Sequence, residues 1–546
     1  MGLDIRNKAV IKPPMVRPHG VPPRGIEMDT RSRLFEGRFG RLFRALAPAD
    51  FGSNETEAEQ LLETLAAAMI HEPDCPKDGA DDEESGIPSA YTYLGQFIDH
   101  DITFDPSSSL MRQNDPDALI DFRTPRLDLD SVYGRGPDDQ PYLYGDRKEL
   151  LLGKPLSGEA LGRPIRNAQD LARAANQRAM IGDPRNDENA IVSQFQGLVL
   201  RFHNKFLLDN PDLSFEQVQQ QVRFHYQWVV THDFLRRVVS RRVLETLLPH
   251  VFETKKGKYN IVDHPPKLRY YKPVHSAFMP LEFAAAAYRF GHSMVRPGYR
   301  LNDRVAPIPI FALSRLPDGC SPPVDDLRGF REMNPQWAID WARFIDLEKR
   351  PAGLDDDPAD AQSKRTQLAY RIDTSLVDPL SNLPVSVTGT NPGAFKSLAA
   401  RNLVRGWRMR LPSGQSIARV MGVEPLTNEE ILIGSVSEEA DSLPSIAKDF
   451  PKFNGKCPLW AYILAEAAHG MRTRPETETV HTSDGDQKIE TPKLGDVGGT
   501  IVAETFAGMM LDDRNSFWNL WPKWEPDKAL GGREFDLRRF IEYALR

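Results

Sequence analysis

Stretches with an apolar residue every three or four positions constrain this chain more than any other feature. In DENAIVSQFQGLVLRFHNKFLL, Ile191, Phe195, Leu198 and Phe202 fall on one stripe, the repeat of an α-helix. SFEQVQQQVRFHYQWVVTHDFLRRVVSRRVL follows, opened by a capping box of Ser214 and Gln217. Further helices are expected at ETEAEQLLETLAAAMI, LEFAAAAYRFGHSMV, PQWAIDWARFI, LTNEEILIGSV, PLWAYILAEAAHG, GGTIVAETFAGMML and GGREFDLRRFIEYAL. Thr427 and Glu430 predict a second capping box. Strand-like segments are few and short, so the expected class is mainly α. Proline clusters such as HPPK and SPPV place long ordered loops between the helices.

A chain of 546 residues exceeds one small core. Residues 1–30, rich in Pro and Arg without periodicity, read as an extended arm, and 31–546 as one catalytic domain. A net charge of −8 argues against a nucleic-acid partner, which calls for a basic surface. Cys75, Cys320 and Cys457 are too sparse to read as a disulfide framework. No run of about 18 apolar residues offers a membrane span. The first residues lack the apolar stretch of a secretory signal, so the expected compartment is the cytoplasm or leaderless secretion. Nothing in the pattern fixes an oligomeric state.

Five segments carry the chemistry. In YLGQFIDHDITFDP, Gln96 and His100 stand four apart and share a helix face. Asp99 and Asp101 are turned about 100° to either side, so each serves a different partner. Leu94, Phe97 and Ile98 draw this helix into the core, where carboxylates need a cation or a covalent partner. In TPRLDLDSVYG, Thr124, Asp128 and Asp130 alternate, and with the Arg126 carbonyl they offer the hard oxygen donors Ca²⁺ prefers; Asp101 could complete the shell. GDPRNDEN places Arg185 at the start of a helix, the unfavourable end for a cation, three residues before Glu188. His292 follows a run of small residues that permits close approach of something flat. In SLAARNLVRGWRMRLPSG, Asn402 and Arg405 share a face, and a buried Asn carbonyl could fix an imidazole's tautomer.

GQFIDHDITFD, TPRLDLDSVYG, GDPRNDEN, YRFGH and RNLVRGWRMRLPSG occur in this order in the animal-type haem peroxidases of the peroxidase–cyclooxygenase superfamily. The chain resembles that family, in its bacterial branch, from RFGRLF near residue 38 to LGDVGGTIVAETFAGMM near residue 510. The resemblance implies a haem-peroxidase helical core that binds haem b and Ca²⁺. It implies that His100 is the distal histidine and Gln96 its hydrogen-bonding neighbour, with Arg185 as the catalytic arginine. His292 is then the proximal iron ligand oriented by Asn402, and Arg289 the partner of a haem propionate. Asp101, Thr124, the Arg126 carbonyl, Asp128 and Asp130 become the Ca²⁺ ligands. Asp99 and Glu188 become the carboxylates that can form esters with haem methyls. Asn189 stands where a methionine would supply the sulfonium link of myeloperoxidase, so that link is unavailable. The implied activity is reduction of hydrogen peroxide through a ferryl intermediate, with oxidation of a halide or a phenol. A fatty-acid dioxygenase of the superfamily is one rival. It would need a tyrosine three residues before His292, where Arg289 stands; Tyr288 is four before. A peroxinectin-like adhesive protein is the other, and no RGD triplet supports it.

Overall fold

The computed structural model describes residues 38–103, 123–252, 261–273, 276–318, 320, 322–323, 325–354, 356–388 and 395–546. The expected arm over 1–30 lies outside them. Among the described residues long helices dominate and six two-stranded sheets accompany them, so the class is mainly α as expected.

Eight helices frame the core: α1 (Glu55–Ala68), α2 (Ala90–Ile102), α3 (Ala190–Asp209), α4 (Phe215–Val229), α5 (Leu398–Arg408), α6 (Leu459–Thr473), α7 (Asp496–Asp512) and α8 (Leu537–Leu545). Ile191, Phe195, Leu198 and Phe202 of α3 are all buried, so the sequence stripe faces the core. There Phe195 meets Phe97 of α2, and Phe202 stacks on Phe540 of α8 with ring centres 4.0 Å apart. The Ser214–Gln217 capping box forms at the start of α4. Past α4 the chain passes through one π-helical turn, Val230–Phe234, before returning to α-helix.

Three expected helices differ. Thr427 and Glu430 exchange their two capping bonds, yet the chain then runs extended: Leu432 bridges Ser445, and Ile431 and Ile433 are buried. Alternate burial of the isoleucines is better served by a strand-like path than by a helix. PQWAIDWARFI makes only a short 3₁₀ turn, Trp341–Arg343. LEFAAAAYRFGH is α-helical only over Leu281–Ala284, and continues as a 3₁₀ helix over Ala287–His292. Cys75 and Cys320 are disulfide-bonded with Cα atoms 5.8 Å apart, a single bridge that the sparse cysteine count did not predict. Cys457 is free and buried. Among the described residues, no helix is long and apolar enough to cross a membrane.

Candidate active site

His100 is buried near the end of α2. Its Nδ1 lies 2.8 Å from Asn186 Oδ1. Asn186 in turn donates its amide to Gln196 Oε1 at 2.9 Å, which fixes the oxygen toward the imidazole. An imidazole that donates from Nδ1 keeps a lone pair on Nε2. Burial, then the nearby Arg185 charge, lower the His100 pKa to about 4, so the ring is neutral at physiological pH.

Arg185 lies in the 3₁₀ turn Pro184–Asp187 that leads into α3. Asp183 caps that turn by accepting the Arg185 backbone N–H at 2.8 Å. The guanidinium donates to both oxygens of Asp183, at 3.1 and 2.8 Å, and to the His100 carbonyl at 2.9 Å. It also reaches the Thr103 carbonyl. In this pose it binds the end of α2 from behind. Gln96 accepts a hydrogen bond at 3.1 Å from Asn189, whose own oxygen caps α3.

His292 ends the 3₁₀ helix and sits with Nδ1 2.7 Å from the side-chain amide of Asn402 on α5. As placed, Asn402 turns its Nδ2 to the ring and leaves Oδ1 buried without a partner. Rotating the amide half a turn gives Oδ1 the Nδ1–H and relieves that orphan. His292 Nε2 is then a lone-pair donor too. Burial, then Arg289, lower the His292 pKa to about 3.

The two histidines are linked by charge. Asp99, beside His100, forms an ion pair with Arg289, three residues before His292, at 3.0 Å. Burial would raise the Asp99 pKa, but Arg289, His100 and Arg185 outweigh it and hold it down. Glu188 feels Arg185, Asp99, Arg289 and Arg401; burial prevails and pushes its pKa up to about 7. Gln96, Glu188, Arg289, His292 and Arg401 keep some accessible surface although burial dominates the Glu188 and His292 shifts. A Cβ built on Gly291, next to His292, meets no atom within 4 Å. That surface therefore faces an internal space. Two neutral imidazoles with free Nε2 atoms, next to open space and cationic side chains, fit a haem and its anionic propionates.

The carboxylates of Asp101, Asp128 and Asp130 gather so that one oxygen of each lies within 4.8 Å of the others. Asp101 accepts the backbone N–H of Leu129 at 3.2 Å and the Ser131 hydroxyl at 2.8 Å. Thr124 donates to Asp128 at 2.9 Å. The Arg126 guanidinium turns toward Asp513, 3.8 Å away, which places its side chain outside the cluster. Leu129 adopts a left-handed backbone, φ 57°, unusual for a branched side chain, which turns its N–H to Asp101. Burial, then Asp128, raise the pKa of both Asp101 and Asp130. Three acids this close, Asp101 buried and Asp128 and Asp130 half-buried, with the Arg123 guanidinium on Asp130 alone of them, fit a hard divalent cation.

Gln96, Asp99, His100, Arg185, Glu188, Arg289, His292 and Asn402 thus fall around the histidine pair, and Asp101, Thr124, Asp128 and Asp130 at the acidic cluster beside it; the donor expected of Arg126 is its carbonyl, on which the direction of its side chain has no bearing. Asn186, Asp183, Gln196 and Arg123 were missed. Asn186 and Asp183 stood within the quoted GDPRNDEN; only their contacts reveal a role.

The mainly α core that carries these two asparagine-held histidines has the fold of a solved peroxidase and of a solved fatty acid alpha-dioxygenase. Peroxidase A from Dictyostelium discoideum superposes with a TM-score of 0.52, at 16% identity over 88% of each chain. A fatty acid alpha-dioxygenase from Oryza sativa superposes at 0.51, with 15% identity over 92% of this chain and 78% of that one. The sequence then narrows the class. Residues 108–317 match the animal haem peroxidase family model. Peroxidasin homolog from Mus musculus is 27% identical over 37% of this chain. Dual oxidase from Drosophila melanogaster is 30% identical over 23% of it. The matches span only 14% and 7% of those proteins.

Proposed function

We propose that this protein is a haem peroxidase that reduces hydrogen peroxide and oxidises halides or small aromatic donors. The observation that carries this reading is the paired asparagine contact: Asn186 and Asn402 each engage a histidine Nδ1. His292 Nε2 is the group to hold iron, with Arg289 near a propionate. Haem, when bound, supplies the iron centre at which peroxide is cleaved and donors are oxidised. Neutral His100 takes the proton of incoming peroxide at Nε2 and returns it to the departing oxygen. Arg185 stabilises developing negative charge once its guanidinium turns into the cavity. Gln96, held by Asn189, orders water or a halide beside His100. Asp99 and Glu188 are the carboxylates to esterify haem methyls, and Asp101, Thr124, the Arg126 carbonyl, Asp128 and Asp130 the ligands of Ca²⁺.

The test is an absorption spectrum of haem-loaded protein before and after peroxide, then with bromide and with a phenol. A spectrum that peroxide leaves unchanged overturns the reading. Mass spectrometry of the denatured holoprotein tests the esters: free, unmodified haem rules them out.

The second reading is fatty-acid dioxygenation, favoured by buried Tyr288 and by the shared fold. His292 lies on a 3₁₀ helix, where a residue three positions back eclipses it. That residue is Arg289; Tyr288 is rotated by a further third of a turn and stacks on Phe283. Oxygen uptake with linoleate in the absence of peroxide would establish this alternative. Of the two compartments expected from sequence, the Cys75–Cys320 disulfide favours secretion into an oxidising environment.

A further inference from the structure

Asp183 is completely buried and shared by two guanidinium groups. Arg185 holds it from one side. From the other, Arg123 donates to its Oδ2 through Nε and Nη2, at 3.1 and 2.7 Å. The third nitrogen of Arg123, Nη1, lies 3.0 Å from Asp130 of the acidic cluster. An unbroken chain of ion pairs therefore runs from Asp130 through Arg123 and Asp183 to Arg185. Both intermediate residues sit outside the cation donor set and outside the reacting groups.

We propose that Arg123 and Asp183 are positioning residues that couple cation binding at Asp101, Asp128 and Asp130 to the pose of Arg185. The proposal rests on the cation reading above. A divalent cation at the cluster takes up the charge of Asp130 and repels Arg123. Arg123 then gives its full charge to Asp183. Asp183, neutralised from that side, holds Arg185 less tightly. Arg185 leaves the carbonyls of His100 and Thr103 and turns to the space beside His100. While Arg123 is divided between Asp130 and Asp183, Arg185 keeps its hold on Asp183 and on the His100 and Thr103 carbonyls. Coupling of this kind is reciprocal: what the cation does for Arg185, removal of Arg185 does for the cation.

The test uses haem-loaded protein. Calorimetry gives the Ca²⁺ affinity, and the shift of the haem absorption band gives the cyanide affinity with and without Ca²⁺. Cyanide, like peroxide, arrives as a weak acid, and its bound anion is stabilised by a cation overhead. In the wild type, Ca²⁺ should tighten cyanide about tenfold, a coupling of ~1.4 kcal/mol. Arg123→Gln should still bind Ca²⁺ while its cyanide coupling falls below about twofold; Arg123→Lys, which keeps the charge, should restore part of it. Arg185→Gln should bind Ca²⁺ several-fold tighter, a readout independent of any ligand at the haem. Full cyanide coupling in a Ca²⁺-binding Arg123→Gln protein overturns the relay alone. Failure of the wild type to bind Ca²⁺ overturns the cation reading and the relay with it, whereas failure to bind cyanide at all points to the haem assignment.

Discussion

The His100 and His292 surroundings are built on one plan and differ in how tightly they are closed. Each ring is neutral and held at Nδ1 by an asparagine, His100 buried and His292 keeping some surface. On the His100 side the asparagine is itself held by Gln196, and charged residues crowd in: Arg185, Asp183 and Asp99 all act on the ring. On the His292 side charges act too, from Arg289, Asp99 and Arg405, but the asparagine oxygen has no second partner, and the ring rides on a 3₁₀ helix whose Gly291 adjoins open space. A group that must gain and lose a proton is served by a held asparagine that fixes which nitrogen carries it. A group that must bind a metal is served by an unobstructed lone pair. The difference matches the two roles proposed, and each role can be broken separately.

The largest effect is expected from His292→Ala. Removing the only proposed protein ligand to iron should cost stable haem retention altogether, read as the haem-to-protein ratio after gel filtration. Retention of stoichiometric haem with an unchanged ferric spectrum would place the iron ligand elsewhere. His100→Ala comes next. It should keep haem and slow the reaction with peroxide by about 10²- to 10⁴-fold, the usual worth of a positioned acid–base group. Stopped-flow mixing with peroxide measures it, and a rate equal to the wild type would remove His100 from proton transfer.

The acid limit of the reaction follows from the burial of His100 and, after it, the Arg185 charge. An ordinary histidine loses its base form as pH falls through about 6.5. Here the value is lowered to about 4, so the lone pair survives to more acid conditions; a cation at Asp101 would lower it further. The peroxide rate constant should stay flat from neutral pH down to about 4 and fall about tenfold per unit below. Arg185→Gln removes a positive neighbour, so the break should move to higher pH. A break near 6.5 in the wild type would mean that the ring is more hydrated than the structure shows.

Much of this was legible in the sequence because motif residues lie close together along the chain. Gln96, Asp99, His100 and Asp101 occupy one helix, and helical geometry alone assigns their directions. Thr124, Asp128 and Asp130 lie within one short loop. What stayed hidden depends on contacts between distant segments. Asn186 to His100 spans 86 positions and Asn189 to Gln96 spans 93, so neither pairing leaves a local trace. The 3₁₀ conformation at His292 was hidden for another reason. Its alanines favour α-helix, yet at Ala286 the backbone breaks from helical values, φ −140° and ψ −72°, and tertiary packing overrides propensity. The reciprocal bonds of Thr427 and Glu430 formed without a helix because a capping box specifies a first turn and says nothing of the turns after it.

The smallest effects should come from the asparagines, and they sharpen the comparison most. Second partners of a metal-bound or catalytic imidazole are typically worth about 10- to 100-fold. Asn402→Ala should leave His292 in place and weaken haem affinity by about that factor, with little change in the pH profile. Asn186→Ala should leave haem affinity alone and slow the peroxide reaction about tenfold, because His100 can then adopt the tautomer that puts its proton on Nε2. Gln196→Ala should do the same more weakly, since it acts through Asn186. The decisive result is the cross-over: haem affinity lost only on one side, proton transfer only on the other. If Asn186→Ala and Asn402→Ala change the same quantity by the same factor, the two asparagines are packing residues and the division of labour drawn from their surroundings is wrong.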